Sequence, residues 1–150
     1  MKKWLLLLCS LQVQAISLTE LEGSPLQSVD QLHGKVVLVD FWASWCGPCR
    51  KSFPWLNRMQ QQYSADGLLV LAVNEDSERS EAMRFLQQQP AQFAVLYDEA
   101  GALAQQYQLM GMPSSFLIDK KGQIRYRHIG FKQADIAGYE AKIRQLLAEE

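Results

Sequence analysis

The sequence predicts a three-layer α/β domain with a central mixed sheet, parallel strands, a C-terminal β-hairpin and helices on both faces. Three observations favour this class: apolar strands alternate with amphipathic helices, a Gly-containing turn joins two later β segments, and a helix closes the chain. Parallel strands need crossover connections, and the intervening helices supply them. The 150 residues, 48% hydrophobic and 21% charged, suit one globular domain.

The first half of the chain is predicted to hold two strands and two helices, at residues 36–42, 48–63, 68–73 and 77–89 in that order. The first strand is nearly all apolar, as expected for a central strand that is covered on both faces. Pro54 should kink the first helix. Ser77 is a possible N-cap of the second helix.

The second half is predicted to contain a short strand, a short helix, a hairpin and a final helix, at residues 93–97, 100–107, 115–129 and 134–148. Gly122 lies in the turn between the hairpin strands at residues 115–118 and 124–129. Arg125, Arg127 and His128 fall on the hairpin, and we interpret them as a solvated edge that discourages aggregation.

The first fifteen residues are typical of a secretory signal peptide. Lys2 and Lys3 supply a positive start, a Leu-rich stretch too short to span a bilayer follows, and Ala15 precedes a cleavage site. We therefore expect residues 1–15 to be removed, which leaves residues 16–150 as the domain. Lipid attachment at Cys9 and a buried N-terminal helix are the alternatives.

The charge of the chain is nearly balanced, with 15 basic and 16 acidic residues and a net charge of −1. No basic tail or stripe is present in the sequence. Nucleic acids and anionic membrane surfaces are therefore poor candidates as partners.

The most informative feature is a pair of thiols, Cys46 and Cys49, where a strand should pass into a helix. A cysteine at a helix N-terminus faces free N–H groups and the positive end of the helix dipole, so we expect Cys46 to be the exposed nucleophile. Cys49, one turn on, can then attack Cys46 and release a mixed disulfide. Between them lie Gly47 and Pro48, which stiffens the turn, and Trp45 flanks the site.

Two other interpretations of the cysteine pair are weaker. A purely structural disulfide between adjacent turns closes a small loop and constrains the unfolded chain little. A zinc site needs four ligands, whereas Cys9 should be removed and His33 and His128 are distant in sequence. We therefore expect no metal and no cofactor.

Asp40 lies inside the first apolar strand, six residues before Cys46. An ionised carboxylate there is costly unless it is paired, and burial should raise its pKa. Such a group suits the role of proton acceptor for Cys49. The alternative is a structural carboxylate that is satisfied by Lys35 or by the backbone.

These segments resemble thioredoxins, and in particular the exported TlpA-type branch of bacterial thiol–disulfide oxidoreductases. The active-site strand and helix of thioredoxins are matched by residues 39–49, V-D-F-W-A-S-W-C-G-P-C. The branch is matched by G-K-V-V-L-V, V-N-E-D and G-M-P-S-S-F-L-I-D at residues 34–39, 73–76 and 111–119, and by Gly122 and Gly130. The resemblance runs from about residue 18 to residue 147 and implies the thioredoxin fold.

The resemblance also implies roles for single residues. Asp40 would accept the proton of Cys49. Pro113 would follow a cis peptide bond, and Met112 before it would offer its backbone to an extended peptide. A trans Pro113 that merely starts a strand is the alternative.

The implied activity is thiol–disulfide exchange with exported proteins by a periplasmic monomer. Gly47 and Pro48 form the dipeptide of thioredoxin, which lies at the reducing end of the scale, so we expect a reductase. The resemblance implies a membrane-embedded thiol electron donor as its partner. Ser52 and Ser114 stand where many branch members and cytochrome c maturation members, respectively, carry Glu, which argues against dedicated cytochrome c maturation.

A metal-delivery module is the main alternative function. Two thiolates can hold Cu(I), and Met110 or Met112 could complete the site. Exported copper carriers of this fold usually space their thiols differently. A thiol peroxidase ranks last, because the surroundings that its reactive cysteine needs are missing from the sequence.

Overall fold

The computed structural model describes residues 29–150, which form a five-stranded sheet between two layers of helices. The strands are β1 Val36–Trp42, β2 Leu68–Asn74, β3 Ala94–Tyr97, β4 Ser114–Ile118 and β5 Ile124–Ile129. The α-helices are α1 Gly47–Tyr63, α2 Arg79–Gln88, α3 Ala102–Gln106 and α4 Ile136–Ala148, and 3-10 turns cover Val29–Leu32 and Gln133–Asp135. The predicted signal peptide and Cys9 lie outside the described residues.

The sheet has the strand order β3-β2-β1-β4-β5. β1, β2 and β3 are parallel, while β4 runs antiparallel to β1 and forms a hairpin with β5. The predicted mixed sheet with a C-terminal hairpin is therefore confirmed. The C-terminal ends of the three parallel strands and the start of β4 meet at one edge of the sheet, since Phe41 pairs with Ser114.

Alternating residues of β1 separate the core into two layers. Val36, Leu38 and Trp42 pack against α1, α2 and α4 on one face. Val37, Val39 and Phe41 pack on the other face, which α3 covers. The helices thus lie on both faces, as the sequence predicts.

The boundaries of several helices differ from the prediction, and the third helix covers Ala102–Gln106 rather than residues 100–107. The second helix begins at Arg79 rather than Ser77, and its N-cap, Glu78, makes no side-chain capping bond. Ser77 is therefore not the cap, because the helix begins one residue later and Glu78, with extended backbone angles, occupies the N-cap position. The last helix begins at Ile136 rather than at residue 134, because a 3-10 turn covers Gln133–Asp135. The sequence pattern did not distinguish this turn from the first turn of an α-helix.

The predicted edge strand is β5, which is the outermost strand beside β4, and its effect on aggregation stays a prediction. Arg125 is exposed and pairs with Glu149 at 2.7 Å, and His128 lies 3.6 Å from Asp135. The first helix, α1, contains Pro54 and continues to Tyr63. None of the helices between residues 29 and 150 is long and apolar enough to cross a membrane.

Candidate active site

Cys46 and Cys49 form a disulfide at the start of α1, with their Cα atoms 5.3 Å apart. Cys46 is the N-cap of the helix, and its Sγ accepts a hydrogen bond of 3.3 Å from the Cys49 N–H. This position confirms the predicted helix N-terminus. Cys46 is the more exposed of the two cysteines, as expected, but it is itself buried: 5% of Cys46 and none of Cys49 is accessible in the oxidised pair.

The turn that carries Cys46 is fixed by two charged residues for which the sequence suggested no role. Asp76 accepts hydrogen bonds from the Ser44 N–H at 3.0 Å and from the Ser44 hydroxyl at 2.8 Å. Arg50 donates two bonds of 3.1 Å to the Ser44 carbonyl, and the Cys46 N–H binds the Ala43 carbonyl. The turn is therefore preorganised. The sequence signals for Asp76 were its place after the second strand and its position in the V-N-E-D segment that matches the TlpA-type branch.

Asp40 is 1% exposed. It lies two residues from both Leu38 and Trp42 in β1, so its side chain faces the same core layer as theirs, the layer that contains Cys49. Its Oδ1 accepts a 2.6 Å hydrogen bond from the Ser115 hydroxyl. Its Oδ2 is buried and has no hydrogen-bond partner among the described residues. The partner is thus Ser115 rather than Lys35 or the backbone, and sequence reasoning missed it.

Burial raises the pKa of Asp40 to about 7, although the hydrogen bond from Ser115 acts in the opposite direction. The cause is desolvation of a carboxylate in an apolar layer. A carboxyl with such a pKa exchanges protons readily near neutral pH.

The Met112–Pro113 bond is cis, as predicted. Pro113 is buried, and its carbonyl accepts a 2.8 Å hydrogen bond from the Gly130 N–H. Because Ser114 pairs with Phe41, Pro113 lies beside the end of β1, where the turn to Cys46 begins. The structure therefore brings the Met112–Pro113 segment to the same sheet edge as the disulfide.

The surface around the disulfide is formed by residues that the sequence singled out. Gly47 and Pro48 are exposed, and Trp45 is 67% exposed. Met112 is half-buried against the core, whereas Met110 is 88% exposed. Ser52 and Ser114 both bind backbone, since Ser52 donates to the Cys49 carbonyl and Ser114 to the Gly111 carbonyl.

A second acidic group lies on the opposite face of the same sheet edge. Glu75 follows β2, and burial together with the charge of Asp98 raises its pKa to about 9. Asp98 also accepts hydrogen bonds from the N–H groups of Leu103 and Ala104 at the start of α3. Asp98 anchors α3, and sequence reasoning missed its pairing with Glu75 because the two residues are far apart in the chain.

The described part of the chain contains no group of three or more His, Cys, Asp or Glu side chains that could hold a metal ion. The two cysteines are joined to each other by the disulfide. The site thus combines a disulfide-bonded cysteine pair, a buried carboxyl and a cis-proline loop.

Comparisons with known proteins agree with this arrangement. A family model named Redoxin matches residues 11–143. The thiol-disulfide oxidoreductase ResA of Bacillus cereus is 33% identical over 126 residues, which are 83% of this chain and 72% of that protein. The thiol:disulfide interchange protein DsbE of Yersinia pestis is 38% identical over 122 residues, which are 79% of this chain and 62% of that protein.

A solved structure is also similar. The crystal structure of a Chlorobium tepidum protein assigned as a thiol:disulfide interchange protein DsbE superposes with a TM-score of 0.78 and 49% identity. The superposition covers 79% of this chain and 84% of that chain.

Proposed function

We propose that this chain, which belongs to the Redoxin family and is a TlpA-type thiol–disulfide oxidoreductase of the thioredoxin superfamily, acts as an exported protein-disulfide reductase. The observation that carries the proposal is the position of Cys46 at the N-cap of α1, bonded to Cys49 one turn later. The family membership makes the chain an enzyme that exchanges thiols and disulfides. The direction, the compartment and the residue roles are the proposal.

The reaction begins with the reduced pair. The thiolate of Cys46 attacks one sulfur of a substrate disulfide, forms a mixed disulfide and expels the other substrate sulfur as a thiolate. The helix N-terminus and the Cys49 N–H, which donates to Cys46 Sγ, support the negative charge on the attacking sulfur.

The second step releases the substrate. Cys49 loses its proton, attacks the sulfur of Cys46 and displaces the remaining substrate sulfur. Asp40 takes that proton in our proposal, since it is buried in the same layer and has a pKa of about 7. Two electrons pass from the dithiol to the substrate, and the Cys46–Cys49 disulfide is restored.

The substrate binds beside the disulfide. Trp45, Gly47 and Pro48 form the accessible surface there, and the backbone of Met112 lies before the cis bond at the same sheet edge. An extended peptide can pair with such a backbone by β-augmentation. The substrates are therefore protein disulfides in accessible, extended segments.

The reducing direction is supported by the Gly47–Pro48 dipeptide and by the raised pKa of Asp40. In an oxidising compartment a reductase must be reduced again after each turnover. We propose a membrane-embedded thiol donor for this step, a periplasmic location after signal cleavage, and a monomeric enzyme. Equilibration with glutathione tests the direction, because a reductase keeps its disulfide at modest glutathione concentrations.

Trapping tests the order of the two thiols. Cys49→Ala should accumulate a mixed disulfide between Cys46 and insulin, while Cys46→Ala, the matched control, should accumulate none. Wild-type protein should reduce insulin when it is supplied with a chemical thiol. A trapped complex with Cys46→Ala but not with Cys49→Ala would reverse the assignment.

A further inference from the structure

Two serines follow the cis proline, and the alternation of β4 sends their side chains to opposite faces of the sheet. Ser114 pairs with Phe41, and its hydroxyl donates to the Gly111 carbonyl at 2.6 Å. Ser115 pairs with Asp40, and its hydroxyl donates to Asp40 Oδ1, also at 2.6 Å. The backbone register therefore places one hydroxyl beside the buried carboxyl.

The contact between Ser115 and Asp40 is shielded from water. Ser115 is 6% exposed and Asp40 is 1% exposed. Within residues 29–150, the Ser115 hydroxyl is the hydrogen-bond donor that the structure gives to this carboxyl, and Oδ2 is buried without a partner. The two oxygens of Asp40 are thus chemically distinct, since one is occupied and the other is free to receive a proton.

We propose that Ser115 is a positioning residue that holds Oδ1 of Asp40 and thereby leaves Oδ2 as the oxygen that receives the Cys49 proton. The inference rests on the proposed function, because it names the residue that prepares the base of the second step. Ser115 itself does not touch the reacting sulfurs in this account. It acts by fixing the orientation of the carboxyl and by stabilising its charged form.

The two carboxyl oxygens of Asp40 have separate tasks in the second step. The Cys49 S–H bond breaks, and its proton moves to Oδ2 while Oδ1 keeps the Ser115 hydrogen bond. The Cys49 sulfur forms a bond to Cys46 Sγ, and the bond between Cys46 and the substrate sulfur breaks. The substrate leaves as a thiolate and takes up a proton, so Asp40 can return its own proton to solvent or product.

The hydroxyl also offsets part of the effect of burial. A hydrogen bond to the charged form favours ionisation, and the Ser115 contact lowers the pKa of Asp40 against the larger effect of desolvation. Without that hydroxyl the carboxyl would stay protonated to higher pH. The base would then be missing at neutral pH but present in alkaline solution.

The test compares Ser115→Ala with Ser115→Thr, which keeps a hydroxyl, and with Ser114→Ala, which removes the neighbouring hydroxyl from the other face. The reduced proteins are mixed with insulin, and the single-turnover rate is followed from about pH 5 to pH 10. Because a hydrogen bond to a charged group has a value equivalent to about one pKa unit or more, Ser115→Ala should raise the midpoint of the pH profile by about one unit. The rate at neutral pH should fall roughly five- to tenfold and recover at high pH.

The control variants separate positioning from packing. Ser115→Thr should restore the wild-type midpoint, and Ser114→Ala should keep that midpoint whatever its absolute rate. An unchanged midpoint in Ser115→Ala would overturn the proposal. A rate loss that is equal at all pH values and is not rescued by threonine would assign Ser115 a structural role instead.

A second measurement is independent of activity. The carboxyl carbon of Asp40 is titrated by NMR in the oxidised wild-type and Ser115→Ala proteins. The pKa should rise in the variant even if the wild-type protein reduces no insulin, a result that would count against the proposed function alone. An equal pKa in the two proteins would contradict the role of Ser115.

Discussion

Asp40 and Asp76 are both 1% exposed, and both lie in or just after a central parallel strand, yet their surroundings differ. Asp76 accepts three hydrogen bonds, two from Ser44 and one from the Asn74 amide at 2.7 Å. Asp40 accepts one, from Ser115, and its Oδ2 has no partner in the described part of the chain. Equal burial therefore produces one satisfied carboxylate and one that is only partly satisfied.

The difference in hydrogen bonding matches a structural role for Asp76 and the proton-accepting role that we propose for Asp40. Asp76 accepts several hydrogen bonds and holds its donors in place, so it fixes the turn before Cys46. A buried carboxyl with one donor pays a desolvation cost as an anion, so the pKa of Asp40 rises to about 7. A buried carboxyl with a single donor, such as Asp40, can therefore exchange a proton near neutral pH.

The largest expected effect comes from removing the satisfied carboxylate. Asp76→Ala leaves the Ser44 and Asn74 donors buried without their acceptor, which should lower the free energy of unfolding by about 4 kcal/mol. Urea denaturation measures the loss, and Asp66→Ala, at an exposed aspartate, is the control that should change little. A loss below about 1 kcal/mol would contradict a scaffold role for Asp76.

The next effect is on catalysis. Asp40→Asn keeps the shape of the side chain but removes the proposed base, so insulin reduction near pH 7 should slow about 100-fold, the usual contribution of a positioned base. Single-turnover kinetics with the reduced protein measures the change. The mixed disulfide should accumulate in the variant, because the first step does not need Asp40. A wild-type rate would remove Asp40 from the mechanism.

The same substitution should have the opposite effect on stability. The folded pKa of about 7 lies above the ordinary value of 3.8, so the folded protein binds more protons than the unfolded chain between these values. The contribution of Asp40 to stability is therefore greatest below the ordinary value and is lost as the pH rises through the folded pKa of about 7. The difference of 7 − 3.8 = 3.2 units sets an upper limit of about 4 kcal/mol.

Asp40→Asn abolishes this dependence. Its own buried amide offsets part of the gain, so we expect the variant to be more stable than wild type by about 2 kcal/mol at pH 8. The advantage should shrink as the pH falls towards 4. Thermal or urea unfolding across this range checks the sign, and a variant that is less stable than wild type at pH 8 would contradict the account.

The smallest effect concerns the second acidic pair. The pKa of Glu75 is raised from 4.5 to about 9, mainly by burial and then by Asp98, so its ionisation costs stability as the pH rises through this window. Glu75→Gln can still donate to Asp98 but carries no charge. Because the site is partly exposed and solvent screens it, we expect a gain of only about 0.5 kcal/mol at pH 9 and none at pH 4. Urea unfolding at the two pH values measures it, and a loss at pH 9 would be contrary to the expectation.

Much of the fold could be predicted from local patterns. The strand at Val36–Trp42 is a continuous apolar run, and the hairpin strand Ile124–Ile129 is preceded by a Gly-containing turn, so both were located at their observed bounds. The start of α2 could not be found this way. Ser77 has the chemistry of an N-cap, but Asp76 is held by Asn74 and Ser44, and the N-cap position is occupied by Glu78.

The site was predictable where it is local in sequence. Cys46, Cys49 and Asp40 lie within one strand–helix unit, and the cis bond before Pro113 was implied by the resemblance. Ser115 was missed because its contact with Asp40 joins residues 75 positions apart and depends on the register of β1 and β4. Such contacts are set by the assembled sheet, not by any short pattern.

The most direct test of the contrast between the two buried carboxyls is the titration of Asp40 itself. The oxidised protein is labelled at the aspartate carboxyl carbons, the Asp40 signal is assigned by its loss in Asp40→Asn, and NMR follows it with pH. We predict a midpoint of about 7. A midpoint at or below the ordinary aspartate value of 3.8 would contradict the account, because Asp40 would then be as well satisfied as a structural carboxylate.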